Sequence, residues 1–313
     1  MQPVVCVVGP TASGKSDLAQ GIALSLNGEV VSADSMQIYK GMDIGTGKVP
    51  PDQRLVKHFG LDLVDPGSPY SASLFQEYAR ACFEDIGQRG KVAVLCGGTG
   101  FYVRAAIDDY QFPAGDQVDN PVRQRYTEMA EQAGGQAVWD ELNRLDPRSA
   151  AVVHPHNVKR VIRALELLSE GKHYADQVEA LSTLSQKIPA VFLGLRVPRE
   201  ELYARINARV HAMFEAGLID EVLRLLESGF RQGVTAPAAI GYKEVVEALD
   251  GHCSMEDAIE SIKQSTRRYA KRQISWFGKD RRIMWLDASE SNREHLLDDA
   301  LDSLQGRGFT CRS

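Results

Sequence analysis

The stretch Gly9-Pro10-Thr11-Ala12-Ser13-Gly14-Lys15-Ser16 decides the fold of this 313-residue chain. It matches the pattern GxxxxGK[ST] of a phosphate-binding loop in full. The apolar run Val4–Val8 precedes it, and residues 15–26, with an apolar residue at every fourth position, follow it. A strand, a glycine-containing turn and a helix in this order surround phosphate oxygens with backbone N–H groups. All eight residues are therefore predicted to bind phosphate, with Lys15 adding a positive charge and Ser16 a ligand for Mg²⁺.

Other short apolar runs have the length of buried strands, and helical patterns separate them. They lie at residues 29–33, 92–96, 191–197 and 283–286. Strands that alternate with helices indicate a parallel sheet covered on both faces. The predicted fold class is therefore α/β, a P-loop NTPase-like parallel sheet core with a helical insertion domain and C-terminal helices.

The insertion is predicted from a change in pattern. Between about residues 112 and 187 the sequence shows no clear strand and is rich in helix formers and charged residues. We therefore divide the chain into residues 1–111, the first part of the core; 112–187, the helical insertion; and 188–313, which complete the core and add a helical, basic region.

Composition limits the class of protein. Apolar residues make up 43% and charged residues 25%, which is typical of globular proteins, and no apolar run approaches the ~18 residues that span a bilayer. The N-terminal sequence MQPVVCVVG lacks a basic region and a cleavage site, which predicts a cytoplasmic protein. Neither a zinc site nor a disulfide framework is expected, because no CxxC pair occurs among the cysteines, Cys6, Cys82, Cys96, Cys253 and Cys311.

Charge is unevenly distributed along the chain. The formal net charge of −6 argues against binding of nucleic acid, which needs a positive surface. Residues 267–282, RRYAKRQISWFGKDRR, nevertheless carry seven basic residues and one acidic residue, Asp280. A mildly acidic protein can therefore still present a basic stripe to a nucleic acid.

A nucleotide kinase or NTPase is the first interpretation of the phosphate loop. Such enzymes usually end a second strand in an aspartate that binds Mg²⁺, but the run at 92–96 leads into Gly97-Gly98-Thr99-Gly100 without a carboxylate. Thr99 is expected at the carboxyl edge of the sheet, where ligands of open α/β folds bind. Asp34, which follows the run at 29–33, is expected at the same edge as a general base, as a Mg²⁺ ligand through water, or as the N-cap of a turn.

Seven motifs follow one another in a family's order: GPTASGKS, DSMQIYKGMDIGTGK, GGTGFY, NVKRVIRALE, RINARVHAMFEAGLIDEV, AIGYKE and RRYAKRQISWF. Together they resemble the tRNA dimethylallyltransferases, also called tRNA isopentenyltransferases. The motifs extend from Gly9 to Phe277, so the resemblance covers nearly the whole chain. The phosphate loop is shared with many enzymes, whereas the second and third motifs are far more specific.

The resemblance implies that a dimethylallyl group passes from dimethylallyl diphosphate to N6 of the adenosine directly 3′ of the anticodon in tRNA, with release of diphosphate. It also implies a monomer with a channel that the donor and the base enter from opposite ends. Asp34 is then the candidate general base, and Thr99 would hold the N6 group. Lys15, the loop N–H groups and Mg²⁺ on Ser16 would stabilise the leaving diphosphate.

Two arginines complete the predicted diphosphate site. Arg205 and Arg209 lie four residues apart, so they share one helix face, and the resemblance places at least one of them on the diphosphate. A solvated basic face remains the alternative.

The predicted tRNA contacts form four groups, and for the basic residues surface salt bridges, such as Arg163 with Glu166, are the alternative. In the insertion, Val161 and Ile162 also share a helical stripe that is expected to face a core. The four groups are Asp34, Ser35, Met36, Gln37 and Thr99; Arg123; Lys159, Arg160, Val161, Ile162 and Arg163; and Arg267, Arg268, Lys271 and Arg272.

Three other functions stay open on the sequence alone. They are an isopentenyltransferase acting on free AMP, ADP or ATP, a small-molecule kinase, and an RNA-binding protein with a non-functional phosphate loop. The long insertion and the basic helix favour tRNA as acceptor, since a mononucleotide needs neither.

Overall fold

The computed structural model describes residues 3–112 and 120–310. Within these residues six strands form one sheet in the order β3-β2-β4-β1-β5-β6, and every neighbouring pair is parallel. The strands are β1 (Val4–Val8), β2 (Gly28–Ser32), β3 (His58–Phe59), β4 (Val92–Gly97), β5 (Ala190–Arg196) and β6 (Ile283–Asp287). The predicted α/β fold is confirmed, and five of the strands match the predicted runs to within one residue at each end. The strand β3 was not predicted, because two residues show no periodicity.

Helices connect the strands, and local sequence explains where several of them begin. Gly14, with φ of 87°, turns the phosphate loop into the first helix, a left-handed conformation that glycine adopts at little cost. Ser71 and Ser254 cap later helices by accepting the N–H groups of Leu74 and Asp257. The helices of the described residues are α1 (Lys15–Ser25), α2 (Ala72–Gln88), α3 (Gly100–Ile107), α4 (Pro121–Leu145), α5 (Pro147–Ala151), α6 (Val158–Ser169), α7 (Tyr174–Thr183), α8 (Arg199–Glu215), α9 (Leu218–Glu227), α10 (Tyr242–Leu249), α11 (Met255–Phe277) and α12 (Leu296–Gln305).

Both faces of the sheet are covered by apolar side chains. On β1, Val5 and Val7 pack with residues of α1, whereas Cys6 and its neighbours on the opposite face pack with residues of α2. Because successive residues of a strand point to opposite faces, a strand buried on both sides is apolar throughout. This explains the unbroken apolar run that precedes the phosphate loop.

The chain forms two compact units, Met1–Asp108 with Gln186–Ser313, and Asp109–Ser185. The second unit contains α4 to α7 and has its own core around Val138, Leu142 and Val161. The predicted insertion, residues 112–187, overlaps this unit. Among the residues that the structure describes, none of the helices combines the length and the apolar character that crossing a membrane requires.

Candidate active site

The phosphate loop, the segment after β2 and the turn after β4 meet at the carboxyl edge of the sheet. An inner cavity of about 80 Å³ lies between them, and α8 and α11 complete its wall. Ligands of open α/β proteins bind at this edge, so the cavity is the natural candidate site. Its lining includes Thr11, Lys15, Ser16, Asp34, Gln37, Gly97, Gly98, Arg209, Tyr269 and Gln273.

A larger outer cleft of about 950 Å³ lies against the phosphate loop and is lined by Ser13, Gly14, Arg205 and Glu290, among others. The inner cavity and the outer cleft share five lining residues, Lys15, Ser16, Gly47, Val49 and Arg209. Three of the residues predicted to bind phosphate, Lys15, Ser16 and Arg209, therefore lie where the two spaces meet, while Asp34 lines only the inner one. Two spaces that meet at a predicted phosphate site suit two ligands that approach separately.

Lys15 provides a buried positive charge in this wall. Its Nζ donates a hydrogen bond to the carbonyl of Pro10 at 2.6 Å. Burial, with a smaller contribution from Arg209, lowers the pKa of Lys15 to about 8, although Cys96 and Asp34 act in the opposite direction. A bound anion would favour the charged form of this lysine, because it would offset the cost of burial.

The two arginines of α8 differ in their surroundings. Arg209 lines both spaces, and its Nη2 donates to the carbonyl of Thr46 at 3.3 Å. Burial lowers the pKa of Arg209, and the charge of Asp34 raises it. Arg205 lines only the outer cleft, where it pairs with Glu201 and, at 3.3 Å, with Glu290. Arg209 is therefore the better placed of the two for a diphosphate at the loop.

Asp34 caps a turn and lines the inner cavity at the same time. Its Oδ1 accepts the N–H of Met36 at 2.9 Å, which is the capping role that the sequence left open. The Ser35 N–H donates to Thr99 Oγ1 at 3.1 Å, so the turn is fixed to the segment after β4. Burial, together with the charge of Asp34, raises the pKa of Tyr269 to about 12, against the opposing effects of Thr99, Arg272 and Gln273. A carboxylate that lines the inner cavity thus lies near the phenol of Tyr269 and the hydroxyl of Thr99.

Gln37 makes its hydrogen bonds inside the protein. Its Oε1 accepts from Ser32 Oγ at 2.8 Å, and its Nε2 donates to the carbonyls of Thr46 and Gly47, each at 3.3 Å. Met36 packs beside a core cluster formed by residues such as Ile38. In this structure the amide of Gln37 fixes residues 46 and 47, and its predicted contact with tRNA stays a prediction.

Gln273 on α11 was not predicted, yet it joins two sides of the cavity. The Thr11 N–H donates to its Oε1 at 2.8 Å, and its Nε2 donates to the Gly98 carbonyl at 3.0 Å. The side chain is only 5% exposed. One feature of the sequence could have identified Gln273. It lies three residues after Ala270 and four before Phe277, so it is a polar residue on the same helical stripe as two apolar residues, and all three are buried.

The basic residues of α11 lie on both sides of this stripe. Arg268, Lys271 and Arg272 are exposed, whereas Arg267 donates to Asn207 Oδ1 at 2.9 Å. Of the two aromatic residues that follow them, Trp276 is 40% exposed and Phe277 is buried. The same helix therefore carries an exposed cationic surface and the buried glutamine of the cavity.

The residues of the insertion that are predicted to contact tRNA are of three kinds: exposed, buried in the core, or paired with a buried carboxylate. Lys159 and Arg160 are exposed, whereas Val161 and Ile162 are buried in the core of the unit. The fully buried Glu166 accepts from Arg123 Nε at 2.5 Å and pairs with Arg163 at 3.1 Å, so the salt bridge suggested for Arg163 is present. Contact of these residues with tRNA remains a prediction.

The oxygen ligands at the cavity fit Mg²⁺. The described residues contain no group of three or more His, Cys, Asp and Glu residues that could bind a metal by themselves. Ser16 and Asp34 both line the inner cavity, and they offer a hydroxyl and a carboxylate. Mg²⁺ commonly takes one or two such ligands together with substrate phosphates and water.

The chain matches the family model described as IPP transferase over residues 37–280, and the model described as isopentenyl transferase over residues 2–58. It is 44% identical to a tRNA dimethylallyltransferase of Geobacillus kaustophilus, covering 93% of this chain and 92% of that protein. A tRNA dimethylallyltransferase of Carboxydothermus hydrogenoformans is 42% identical, with coverages of 94% and 95%.

Solved structures give the same result. The tRNA isopentenylpyrophosphate transferase of Bacillus halodurans has a TM-score of 0.72 and 39% identity, covering 98% of this chain and 96% of that one. A eukaryotic dimethylallyltransferase acting on tRNA has a TM-score of 0.80 and 27% identity, covering 100% of this chain and 81% of that one. The chain therefore belongs to the IPP transferase family, together with these tRNA dimethylallyltransferases.

Proposed function

We propose that this protein transfers the dimethylallyl group of dimethylallyl diphosphate to N6 of the adenosine directly 3′ of the anticodon in tRNA. The observation that carries the proposal is the shared wall between the inner cavity and the outer cleft. There a phosphate loop with Lys15 and Arg209 lies next to a carboxylate, Asp34. Val49 and Leu61 line the same inner cavity and offer apolar surface to a five-carbon group.

The exocyclic amine of adenosine is a weak nucleophile, because its lone pair is conjugated with the ring. A base that accepts an N6 proton during the attack removes this obstacle. The bond from N6 to the allylic C1 forms as the bond from C1 to the diphosphate oxygen breaks. Asp34 accepts the proton, and the diphosphate leaves with the electron pair. Thr99 and Tyr269, which lie beside the Asp34 turn, orient the amine.

The phosphate loop stabilises the leaving group. Negative charge grows on the diphosphate as the allylic bond breaks, and Lys15, Arg209 and the loop N–H groups oppose it with charge and hydrogen bonds. Ser16 would hold Mg²⁺, which supplies further positive charge to the diphosphate when bound. Because no phosphoryl group moves, the aspartate that kinases place on a second strand is not needed.

Three features favour tRNA over a free adenine nucleotide. The first is the exposed basic surface of α11, formed by Arg268, Lys271 and Arg272. The second is the helical unit Asp109–Ser185, which we propose binds the anticodon stem-loop. The third is the tRNA enzymes among the relatives. We also propose that the reaction takes place in the cytoplasm and that a single chain is the working unit.

A transfer assay tests the proposal. Protein, Mg²⁺ and radiolabelled dimethylallyl diphosphate are mixed in parallel with unmodified tRNA, with AMP and with ATP. We expect label in tRNA alone, at the adenosine next to the anticodon. Label in a mononucleotide would assign the protein to the free-nucleotide enzymes, and consumption of ATP without transfer of label would indicate a kinase.

Donor affinity is expected to weaken as pH rises above about 8. In the donor-free protein the pKa of Lys15 is about 8, so the lysine is charged below that pH and neutral above it. Bound diphosphate raises this pKa, and binding above pH 8 therefore requires uptake of a proton. The dissociation constant should rise by up to about tenfold per pH unit, as expected for one coupled proton.

Calorimetry with dimethylallyl diphosphate and Mg²⁺ at pH 7 and pH 9, in buffers of different ionisation enthalpy, measures this proton uptake. It should be near zero at pH 7 and approach one proton at pH 9. Lys15→Arg is the control, because arginine does not titrate in this range. Equal proton uptake by the wild-type protein at the two pH values would contradict the expectation.

Gln273→Met should lower the rate of transfer by about tenfold. Methionine has a similar length and shape but neither accepts the Thr11 N–H nor donates to Gly98, so one partly buried and one buried backbone group lose their partners. The single-turnover rate with saturating donor and tRNA measures the effect. Gln264→Met, the same change at an exposed position of α11, should behave like wild type. Equal rates for the two variants would show that the bridge has no part in alignment.

A further inference from the structure

The segment at residues 43–48, Asp-Ile-Gly-Thr-Gly-Lys, belongs to one of the motifs that identify the family, yet the proposed reaction uses none of its side chains. We call it the DIGTGK loop. Two other motif residues, Glu221 on α9 and Tyr242 on α10, line neither the inner cavity nor the outer cleft. The structure brings these three elements together.

Glu221 binds the loop through its backbone. Its carboxylate accepts the N–H groups of three successive loop residues: Asp43 at 3.0 Å, Ile44 at 2.9 Å and Gly45 at 3.2 Å. Tyr242 also donates its hydroxyl to Glu221 at 2.6 Å. Glu221 is 2% exposed and Tyr242 is fully buried, so these charge-assisted bonds are shielded from water.

Two loop glycines are closely packed, and the φ of 61° at Gly47 also favours glycine. A side chain at Gly45 would collide with the ring of Tyr242, and one at Gly47 would collide with the guanidinium of Arg209. The backbone of the loop thus packs against Tyr242, which is bonded to Glu221, on one side and against Arg209 on the other. A shift at residues 43–45 would therefore be transmitted to Gly47.

The far end of the loop contacts protein groups on the donor side and on the acceptor side of the proposed site. The Thr46 carbonyl accepts from Arg209, which lines the shared wall of the two spaces, and also from Gln37, which follows the Asp34 turn. One carbonyl therefore positions a cation on the donor side and a segment on the acceptor side. While the loop is fixed, the side chains of Arg209 and Gln37 have few alternative positions.

We propose that Glu221, supported by Tyr242, is a positioning residue that fixes the DIGTGK loop and through it sets the position of Arg209 for the diphosphate. The inference rests on the proposed function, since it takes dimethylallyl diphosphate as the donor. It assigns a role to a carboxylate that lies outside the cavity and touches neither substrate.

A double-mutant cycle on donor binding tests the inference. Glu221→Gln keeps the size of the side chain but replaces one acceptor oxygen with an N–H donor that faces the loop N–H groups. Calorimetry with dimethylallyl diphosphate and Mg²⁺, in the absence of tRNA, should show a dissociation constant raised by about tenfold. In an Arg209→Ala background the same change should add less than about twofold, because the residue through which Glu221 acts is gone.

Glu227→Gln, the same change at an exposed site of α9, serves as the control and should bind donor like wild type. Equal effects of Glu221→Gln with and without Arg209 would show that Glu221 does not act on donor binding through Arg209 and would overturn the inference. If circular dichroism shows that Glu221→Gln does not fold, Tyr242→Phe replaces it in the cycle. We then expect a rise of about threefold that depends on Arg209, and an unchanged constant would overturn the inference. A wild-type protein that bound no donor would overturn the proposed function as well.

Discussion

Asp34→Asn should abolish most turnover, lowering the single-turnover rate by about 10³-fold, while tRNA binding stays within about twofold of wild type. The loss follows from the removal of the base that accepts the N6 proton, and general-base groups contribute about 10²–10⁴-fold. Asparagine keeps an oxygen that can accept the Met36 N–H at the place of Asp34 Oδ1, so the turn is preserved. The variant therefore separates proton transfer from the capping of the turn.

Asp34→Ala should lose turnover to at least the same extent, and in addition it should loosen the turn. Measuring the single-turnover rate and the tRNA dissociation constant for both variants distinguishes the two roles. Asp65→Asn, at an exposed aspartate outside the site, provides the control. An Asp34→Asn protein that transferred the dimethylallyl group at the wild-type rate would show that another group, or water, accepts the proton.

Local patterns predicted the fold well. The phosphate loop, the strand before it and the helix after it are consecutive in sequence, so a short motif contains their whole geometry. Membership of the family, inferred from seven motifs, is confirmed by the family model and the curated relatives. The salt bridge of Arg163 with Glu166 could be suggested from the sequence, because residues three apart on a helix are neighbours.

Contacts between distant parts of the chain were not predicted. The bond between Thr11 and Gln273 joins residues 262 positions apart, and that between Asp43 and Glu221 spans 178 positions. Periodicity shows which face of a helix is buried, but it does not show which backbone group a buried polar side chain meets. Arg123 illustrates the same limit, since its partner Glu166 lies on another helix of the insertion. The assigned roles of the site residues remain predictions.

Replacing Arg268, Lys271 and Arg272 together with glutamine should raise the tRNA dissociation constant by about 10²-fold at low salt, with little effect on donor affinity. The three side chains are exposed on α11, and the buried face of the helix carries Gln273. Each phosphate contact contributes roughly one unit to the slope of log K against log salt concentration. The triple variant should therefore bind tRNA with a slope about three units shallower, which filter binding at several salt concentrations measures.

The control for this variant removes the same charge elsewhere. Glutamine at Arg224, Lys243 and Arg307, which are exposed cations outside α11, lowers the net charge equally and should leave the salt slope nearly unchanged. If both triple variants weakened tRNA binding to the same extent, general electrostatic attraction would explain the affinity and α11 would not be a specific contact surface. If only the α11 variant is affected, the helix that contacts the tRNA backbone is also the helix that joins the phosphate loop to the Gly98 turn. The acceptor would then bind the element that fixes the distance between donor and base.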